Sequence, residues 1–286
     1  MRKKVLAIIC LFTIMFCTVV SSAEIIHENI TDTALTKGVV QRTIHRFTTN
    51  GWYKINTVSV DLDEKYVDLK TLTSNKGINI RENVLELAKQ NNAIAAINAD
   101  FFQPSGLMPT RASALGVVVD DGKMLTTPAR GKDMATVAVD YENIASMGVW
   151  DQYISLYSPN GEEKQIYHVN KYYDDGALVI FNDDWDAASP GSPIAPIEMV
   201  VEDDVVTDIR VSEEGVKFSE NSYVIASTNA EDTFLIDNFK IGDRVEVKMW
   251  LEPNPTKYKM AVGAGTMLLI DGENAPITHN ISGIHP

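Results

Sequence analysis

Ala93-Ile-Ala-Ala-Ile-Asn98-Ala-Asp100-Phe101-Phe102 is the stretch on which the reading of this chain turns. Five small or branched apolar residues run into an amide, a carboxylate and two aromatic rings. A short apolar run of this kind, following a segment with helical spacing, predicts a buried strand that delivers polar side chains to a sheet edge. Side chains alternate along a strand, so Asn98 and Asp100 are expected to face the same place. The plainer alternative is that Asp100 caps a turn and the two Phe fill the core.

Working backwards, Asn79 followed three residues later by Glu82 has the form of a capping box. Val84, Leu85, Leu87 and Ala88 then give the apolar stripe of a short helix, closed by Asn91-Asn92. Before it, Gly38–Phe47 reads as a first strand after an irregular lead-in, and Asn50-Gly51 as a tight turn. Tyr53–Leu62 and Tyr66–Leu72 read as two arms of an antiparallel hairpin around the charged 61–65 turn.

Working forwards, Gln103–Arg111, with Pro104, Gly106 and Pro109, reads as a loop. Leu115–Val119, the Asp120-Asp121-Gly122 turn and Lys123–Leu125 form a hairpin, and Ala135–Val139 a further strand. From about Tyr141 to Glu252, short strand candidates are separated by turns rich in Gly, Pro, Asp and Asn. They are Gln152–Tyr157, Ala177–Phe181, Ile197–Val201, Val205–Val211, Tyr223–Ser227 and Arg244–Leu251, and their spacing predicts a β-rich insert. Asp174-Asp175 and Asp183-Asp184-Trp185-Asp186 lack calcium-loop spacing and read as solvated turns. Val262-Gly263-Ala-Gly265-Thr-Met-Leu-Leu-Ile-Asp271-Gly272 follows. No helix comes after its glycines to receive a phosphate, so they read as a bend where two backbones pack closely. The fold class expected is α+β: a mixed, mainly antiparallel sheet with few helices and a β-rich insert.

The 286 residues are 45% hydrophobic and 22% charged, ordinary for a globular protein. The start reads as an export signal: Met1-Arg-Lys-Lys4 is a positive head, Val5–Val20 an apolar run, and Ser21-Ser22-Ala23 a small-residue cleavage site. The run is short for a membrane span. Both cysteines, Cys10 and Cys17, lie within this segment, so stability is expected to come from the core alone. Removing residues 1–23 takes away Arg2, Lys3 and Lys4 and leaves 22 basic residues against 39 acidic ones. That balance argues against nucleic acid and against an anionic membrane face as partners.

In order and spacing, Ala95-Ala-Ile-Asn98-Ala-Asp-Phe-Phe102, the Gly116-Val-Val-Val-Asp-Asp-Gly122 hairpin and Gly263–Gly272 together resemble the phosphodiester glycosidase family. Glu198-Met-Val-Val201 and Ile241-Gly-Asp-Arg-Val245 look like the β insert of its bacterial members. The resemblance covers roughly Gly38 to the end. It implies a signal segment at 1–23, the N-terminal part of the domain at 24–140, an insert at 141–252 and a continuation of the domain from 253 to 286. Two departures stand out. Asn98-Ala-Asp100-Phe-Phe takes the place of the family's Asn-Gly-Gly-Phe-Phe. The chain also ends at Ile284-His285-Pro286, ahead of the family's Arg-Thr-Ala and Asp-Gly-Gly-Gly-Ser segments. The expectation is therefore an N-terminal piece of a longer domain, with an exposed apolar patch or open sheet edge where the remainder would pack.

The chemistry implied is hydrolysis of a sugar, N-acetylglucosamine-like, from a sugar-1-phosphate diester on cell-surface glycans. Such a reaction passes through an oxocarbenium-like state and uses carboxyl groups, while the phosphate leaving group calls for a cation or backbone donors. Asp100 is the expected catalytic carboxylate, as base, nucleophile or substrate ligand, and Asn98 its orienting partner. Arg111, Phe102, Gly263, Gly265 and His285 are the substrate-binding candidates. No metal and no cofactor is expected. The partner expected is a glycan or sugar-phosphate substrate, with no nucleic acid and, after signal cleavage, no membrane. A non-catalytic carbohydrate-binding or wall-associated module and an inactive fragment are the competing readings.

Overall fold

The computed structural model describes residues 23–104, 111–129, 134–172 and 176–275. The signal-like segment 1–22, Asp174-Asp175 and His285 lie outside the described residues. The fold is mainly antiparallel β with few helices, and it divides into two units, residues 1–67 and 68–286.

The first unit is a meander of three long strands, β1 (Ile25–Thr36), β2 (Val39–Thr48) and β3 (Gly51–Val60). Asn50-Gly51 turns β2 into β3 with Thr48 opposite Gly51, as the dipeptide predicts. β1 corrects the expected irregular lead-in. Nearly every β1 side chain is exposed, so no apolar alternation was needed there and none was written into the sequence. Along one face runs the row Ile30–Ile44–Ile55. Beside it, Arg42 binds Asp32 in a bidentate pair and Arg46 pairs with Glu28.

In the second unit the helix α1 (Val84–Gln90) begins one turn later than expected. Its cap is Asn83, whose Oδ1 accepts from the Leu85 N–H at 2.8 Å. Asn79 is buried instead, its side-chain oxygen taken by Arg111. Tyr66–Leu72 forms no strand. β4 (Phe102–Pro104) pairs with β5 (Ala112–Ala114). Next come β6 (Val118–Asp120), β7 (Lys123–Thr126), β8 (Ala135–Asp140) and β9 (Ala145–Val149).

Residues 151–252 build a seven-stranded sheet of their own. Its strands are β10 (Asp151–Tyr157), β11 (Glu163–Val169), β12 (Leu178–Phe181), β13 (Ile197–Glu202), β14 (Val205–Val211), β15 (Ser222–Ser227) and β16 (Glu246–Glu252), with the helix α2 (Phe234–Asn238) before β16. The spatial order is β14-β13-β15-β12-β11-β10-β16, and only β11–β12 is parallel. Its centre is covered on both faces. Leu178 and Ile180 join Ile154, Ile166, Met199 and Ile225 in one core, while Val179 and Phe181 join Trp185, Val200 and Val224 in the other. Two-sided burial is why Leu178–Phe181 is an unbroken apolar run rather than an alternating one.

After this sheet the chain returns as β17 (Tyr258–Gly263), inserted between β6 and β8 in a five-stranded sheet of order β7-β6-β17-β8-β9. A strand from residues 258–263 thus pairs with residues 118–120 and 136–140, which brings the second glycine motif onto the Gly116–Gly122 hairpin. A small hairpin, β18 (Leu269–Ile270) and β19 (Glu273–Asn274), follows.

The opening stretch departs from expectation. Residues 93–99 are neither strand nor core: all are exposed, Ile97 at 81%. Asn98 is exposed with them, so it shares no strand face with Asp100. An apolar run becomes a buried strand only when another layer covers it, and none of the described residues does so. Ile94, Ile97, Leu268, Leu269 and Ile270 are each exposed.

Candidate functional site

Asp100 ends the exposed stretch in a left-handed turn, φ +37°. This conformation is accessible to Asp because its short side chain bonds to nearby backbone. One carboxylate oxygen accepts from the Phe101 N–H at 2.6 Å, and the other from the Gly116 N–H at 2.7 Å. The Asp100 N–H in turn donates to the Gly263 carbonyl at 3.1 Å, and the Gly263 N–H to the Val117 carbonyl at 2.9 Å. The three segments singled out in the sequence therefore meet at one residue each: Asp100, Gly116 and Gly263.

Glycine is required where the last two cross. A Cβ on Gly116 would lie 2.5 Å from the Gly263 Cα. One on Gly263 would lie 2.6 Å from the Gly116 Cα and 2.7 Å from an Asp100 oxygen. Gly263 thus makes the close backbone approach read from its sequence, and the carboxylate of Asp100 rests against the crossing. Gly265 lies beside the edge of the Phe101 ring, where a Cβ would sit 3.3 Å from Cε2.

Beneath the crossing lies Lys171, just beyond β11 and almost fully buried. Its ammonium donates to three successive carbonyls, Ala114 at 2.8 Å, Leu115 at 3.1 Å and Gly116 at 2.6 Å. Its neighbours tie the same segments: the Tyr172 N–H donates to Ser113 Oγ, and the Asn170 amide to the Leu125 carbonyl. Nothing in the sequence pointed to Lys171. A lone lysine after a strand ordinarily reads as solvated, and its acceptors are distant backbone atoms that leave no local pattern.

Burial sets the electrostatics. It raises the Asp100 carboxyl above its usual range, opposed by the Gly116 and Phe101 N–H groups and by Lys171. It pushes Lys171 down to about 7, opposed by Asp100. An unfolded lysine keeps its proton to about 10.4. Between these values the unfolded chain binds the proton that the folded one has released, so this group adds stability as pH rises and removes it as pH falls through 7. The melting temperature of the wild type is expected to gain on that of Lys171→Met between pH 7 and 9 in paired thermal melts.

The other candidates disperse. Phe102 is half exposed, and the Arg81 guanidinium lies over its ring, 5.2 Å from the centroid. Arg111 does not stand free for a phosphate. It pairs with Asp186 and donates to Asn79 Oδ1 at 3.2 Å. Asp186 belongs to the acidic segment expected to be a solvated turn, and this is corrected too. Trp185 is buried against Phe181 and Tyr172, and Asp184 binds Lys123 at 2.6 Å. The indole anchors the turn and aims its flanking acids at two cations. Arg111→Ala and Asp186→Ala are each expected to cost about 1–3 kcal/mol. The double variant should fall short of their sum by at least about 0.5 kcal/mol in a denaturant double-mutant cycle, because both remove one partly buried pair. Among the described residues, no group of three or more His, Cys, Asp or Glu is placed to hold a metal ion.

No protein-family model and no curated protein matches the chain. Solved structures do. A hypothetical protein from Synechocystis superposes with a TM-score of 0.71 at 16% identity, over 87% of this chain and 46% of its own. A protein from Burkholderia pseudomallei K96243, named "Putative exported protein", superposes with a TM-score of 0.71 at 14% identity, over 86% of this chain and 74% of its own. The chain therefore spans about half the length of the Synechocystis protein. At these identities the likeness is one of fold. No helix among the described residues is long and apolar enough to cross a membrane.

Proposed function

We propose that this protein is an exported hydrolase of the phosphodiester glycosidase type, cleaving an N-acetylglucosamine-like sugar from a sugar-1-phosphate diester on cell-surface glycans, with Asp100 as its reactive carboxylate. The observation that carries the reading is the meeting of Asp100 with Gly116 and Gly263. The three segments that resemble the family are dispersed in sequence between Ala95 and Gly272 and contribute to one crossing. A carboxylate offers about four lone-pair directions. Two are taken by backbone N–H groups, and Asp100 is only partly buried, which leaves the remainder for a sugar hydroxyl, a water or an anomeric carbon. Burial raises its proton affinity, the direction in which acid–base work shifts a carboxyl group. The exposed Phe102 ring under Arg81 offers an apolar face and a cation, the two features that a sugar phosphate requires. Export is supported by the pattern of residues 1–23 and agrees with the name of the Burkholderia neighbour.

A second reading is favoured by the same two hydrogen bonds. A carboxylate fully engaged in pinning backbone would make a glycan-binding scaffold without turnover. Incubation of the protein with an N-acetylglucosamine-1-phosphate diester separates the two. Release of free sugar supports the hydrolase, and saturable binding without release supports the scaffold and overturns the proposal.

A further inference from the structure

The geometry points to Lys171 as the positioning residue of this site: through the Leu115–Gly116 peptide group it fixes the orientation of the Asp100 carboxylate. The inference rests on the reading of Asp100 as the reactive group. The link is a single peptide unit. Its carbonyl, on Leu115, accepts from Lys171 Nζ at 3.1 Å, and its N–H, on Gly116, donates to Asp100 at 2.7 Å. In a trans peptide these two groups point in opposite directions, so cation, peptide dipole and carboxylate stand in series. Drawing electron density towards the carbonyl oxygen makes the N–H a stronger donor, and hydrogen bonds in such a chain reinforce one another.

The arrangement is over-determined. Three acceptors take all three N–H bonds of an ammonium, one more than a neutral amine offers. Removing the cation therefore leaves three carbonyls short of a donor, and the two flanking carbonyls, Ala114 and Gly116, prevent the central peptide from flipping. Lys171 lies in the 151–252 region, next to Asn170 and Tyr172, which bind Leu125 and Ser113. That region thereby supplies a component of the site rather than standing apart from it. The Lys171 side chain is buried with its ammonium on three backbone carbonyls, so its effect on chemistry passes through Asp100.

The test uses the full chain, wild type and Lys171→Met, with Asp100 titrated by carboxyl 13C NMR in the absence of substrate. Folded Lys171→Met is expected to show the Asp100 midpoint raised by about one unit or more, and faster hydrogen exchange at the Gly116 N–H. On the diester, kcat should fall with little change in KM, and the acidic limb of the pH profile should move with the Asp100 midpoint. An unchanged Asp100 midpoint in the folded variant overturns the inference. Should Lys171→Met fail to fold, the wild type still decides. The Gly116 amide proton must then shift with the Lys171 ionisation, followed at the Lys171 13Cε, and a Gly116 signal indifferent to that step overturns the inference. Because the titrations need no substrate, a protein that turns over no diester refutes the proposed function while the Lys171 coupling keeps its own answer.

Discussion

Asp100→Asn is expected to cut hydrolysis of a sugar-1-phosphate diester by about 10²–10⁴-fold, the range for loss of a positioned acid–base group. It should also lower the stability of the 68–286 unit by about 2–5 kcal/mol. The second effect follows from the hydrogen bonds. Each carboxylate oxygen accepts one backbone N–H, from Phe101 and from Gly116. An asparagine has one oxygen, so one of these N–H groups would face an NH₂, leaving a donor against a donor in a partly buried place. Lys171 would also lose the nearby negative charge that favours its ammonium, and an uncompensated buried cation is costly. For a unit of this size the melting temperature should drop by about 4–20 °C. Activity must therefore be compared well below the melting point of the variant. Turnover at the wild-type rate by a folded Asp100→Asn protein would reduce Asp100 to a turn cap.

Gly263→Ala is expected to be at least as damaging to the fold. An added methyl would sit 2.6 Å from the Gly116 Cα, where ordinary contact begins near 3.4 Å, and both obstacles are difficult to move: one is backbone, the other the hydrogen-bonded Asp100. The strands must separate by most of an ångström, which breaks the Asp100–Gly263 and Gly263–Val117 hydrogen bonds together. The cost is about 3–5 kcal/mol, above ordinary overpacking because no rotamer change relieves it. Gly116→Ala should match it, as the same crossing seen from the other side. Chemical denaturation would show both variants losing stability and their double variant losing far less than the sum, because the first methyl has already opened the gap. Wild-type stability in Gly265→Ala would not bear on this, since its Cβ would meet only the edge of the Phe101 ring.

What the sequence disclosed was local. Turn chemistry at Asn50-Gly51 and Asp121-Gly122 is carried by the turn residues themselves, and both turns stand where they were expected, whereas the hairpin expected between Tyr53–Leu62 and Tyr66–Leu72 gives way to pairing of Gly51–Val60 with Val39–Thr48. Ala177–Phe181 read as a short strand, and Leu178–Phe181 is one; its burial on both sides came only with the structure. What the sequence concealed depended on partners. Ala93–Ile97 has the composition of a core strand, yet composition states only what a segment would do if something covered it. β1 has no apolar alternation because its side chains meet water. The cap expected at Asn79 moved to Asn83 because Arg111, thirty-two residues later, takes the Asn79 side chain.

The site divided in the same manner. Asp100 and Gly263 were both singled out, the first as a carboxylate after an apolar run, the second as a glycine bend where two backbones pack closely. Their meeting was not, since it depends on β17 returning between β6 and β8 after an excursion of more than a hundred residues. Arg111 was misplaced because its partner, Asp186, lies in a segment that looks like a solvated turn until the burial of Trp185 is seen. Lys171 was invisible because everything it binds is backbone.

The most direct measurement is hydrolysis of an N-acetylglucosamine-1-phosphate diester by the wild-type protein in ¹⁸O-labelled water, with both products weighed by mass spectrometry. Label is expected in the released sugar, because a glycosidase breaks the bond between the anomeric carbon and oxygen. Label in the phosphate, or glycan binding with no release at all, would contradict it.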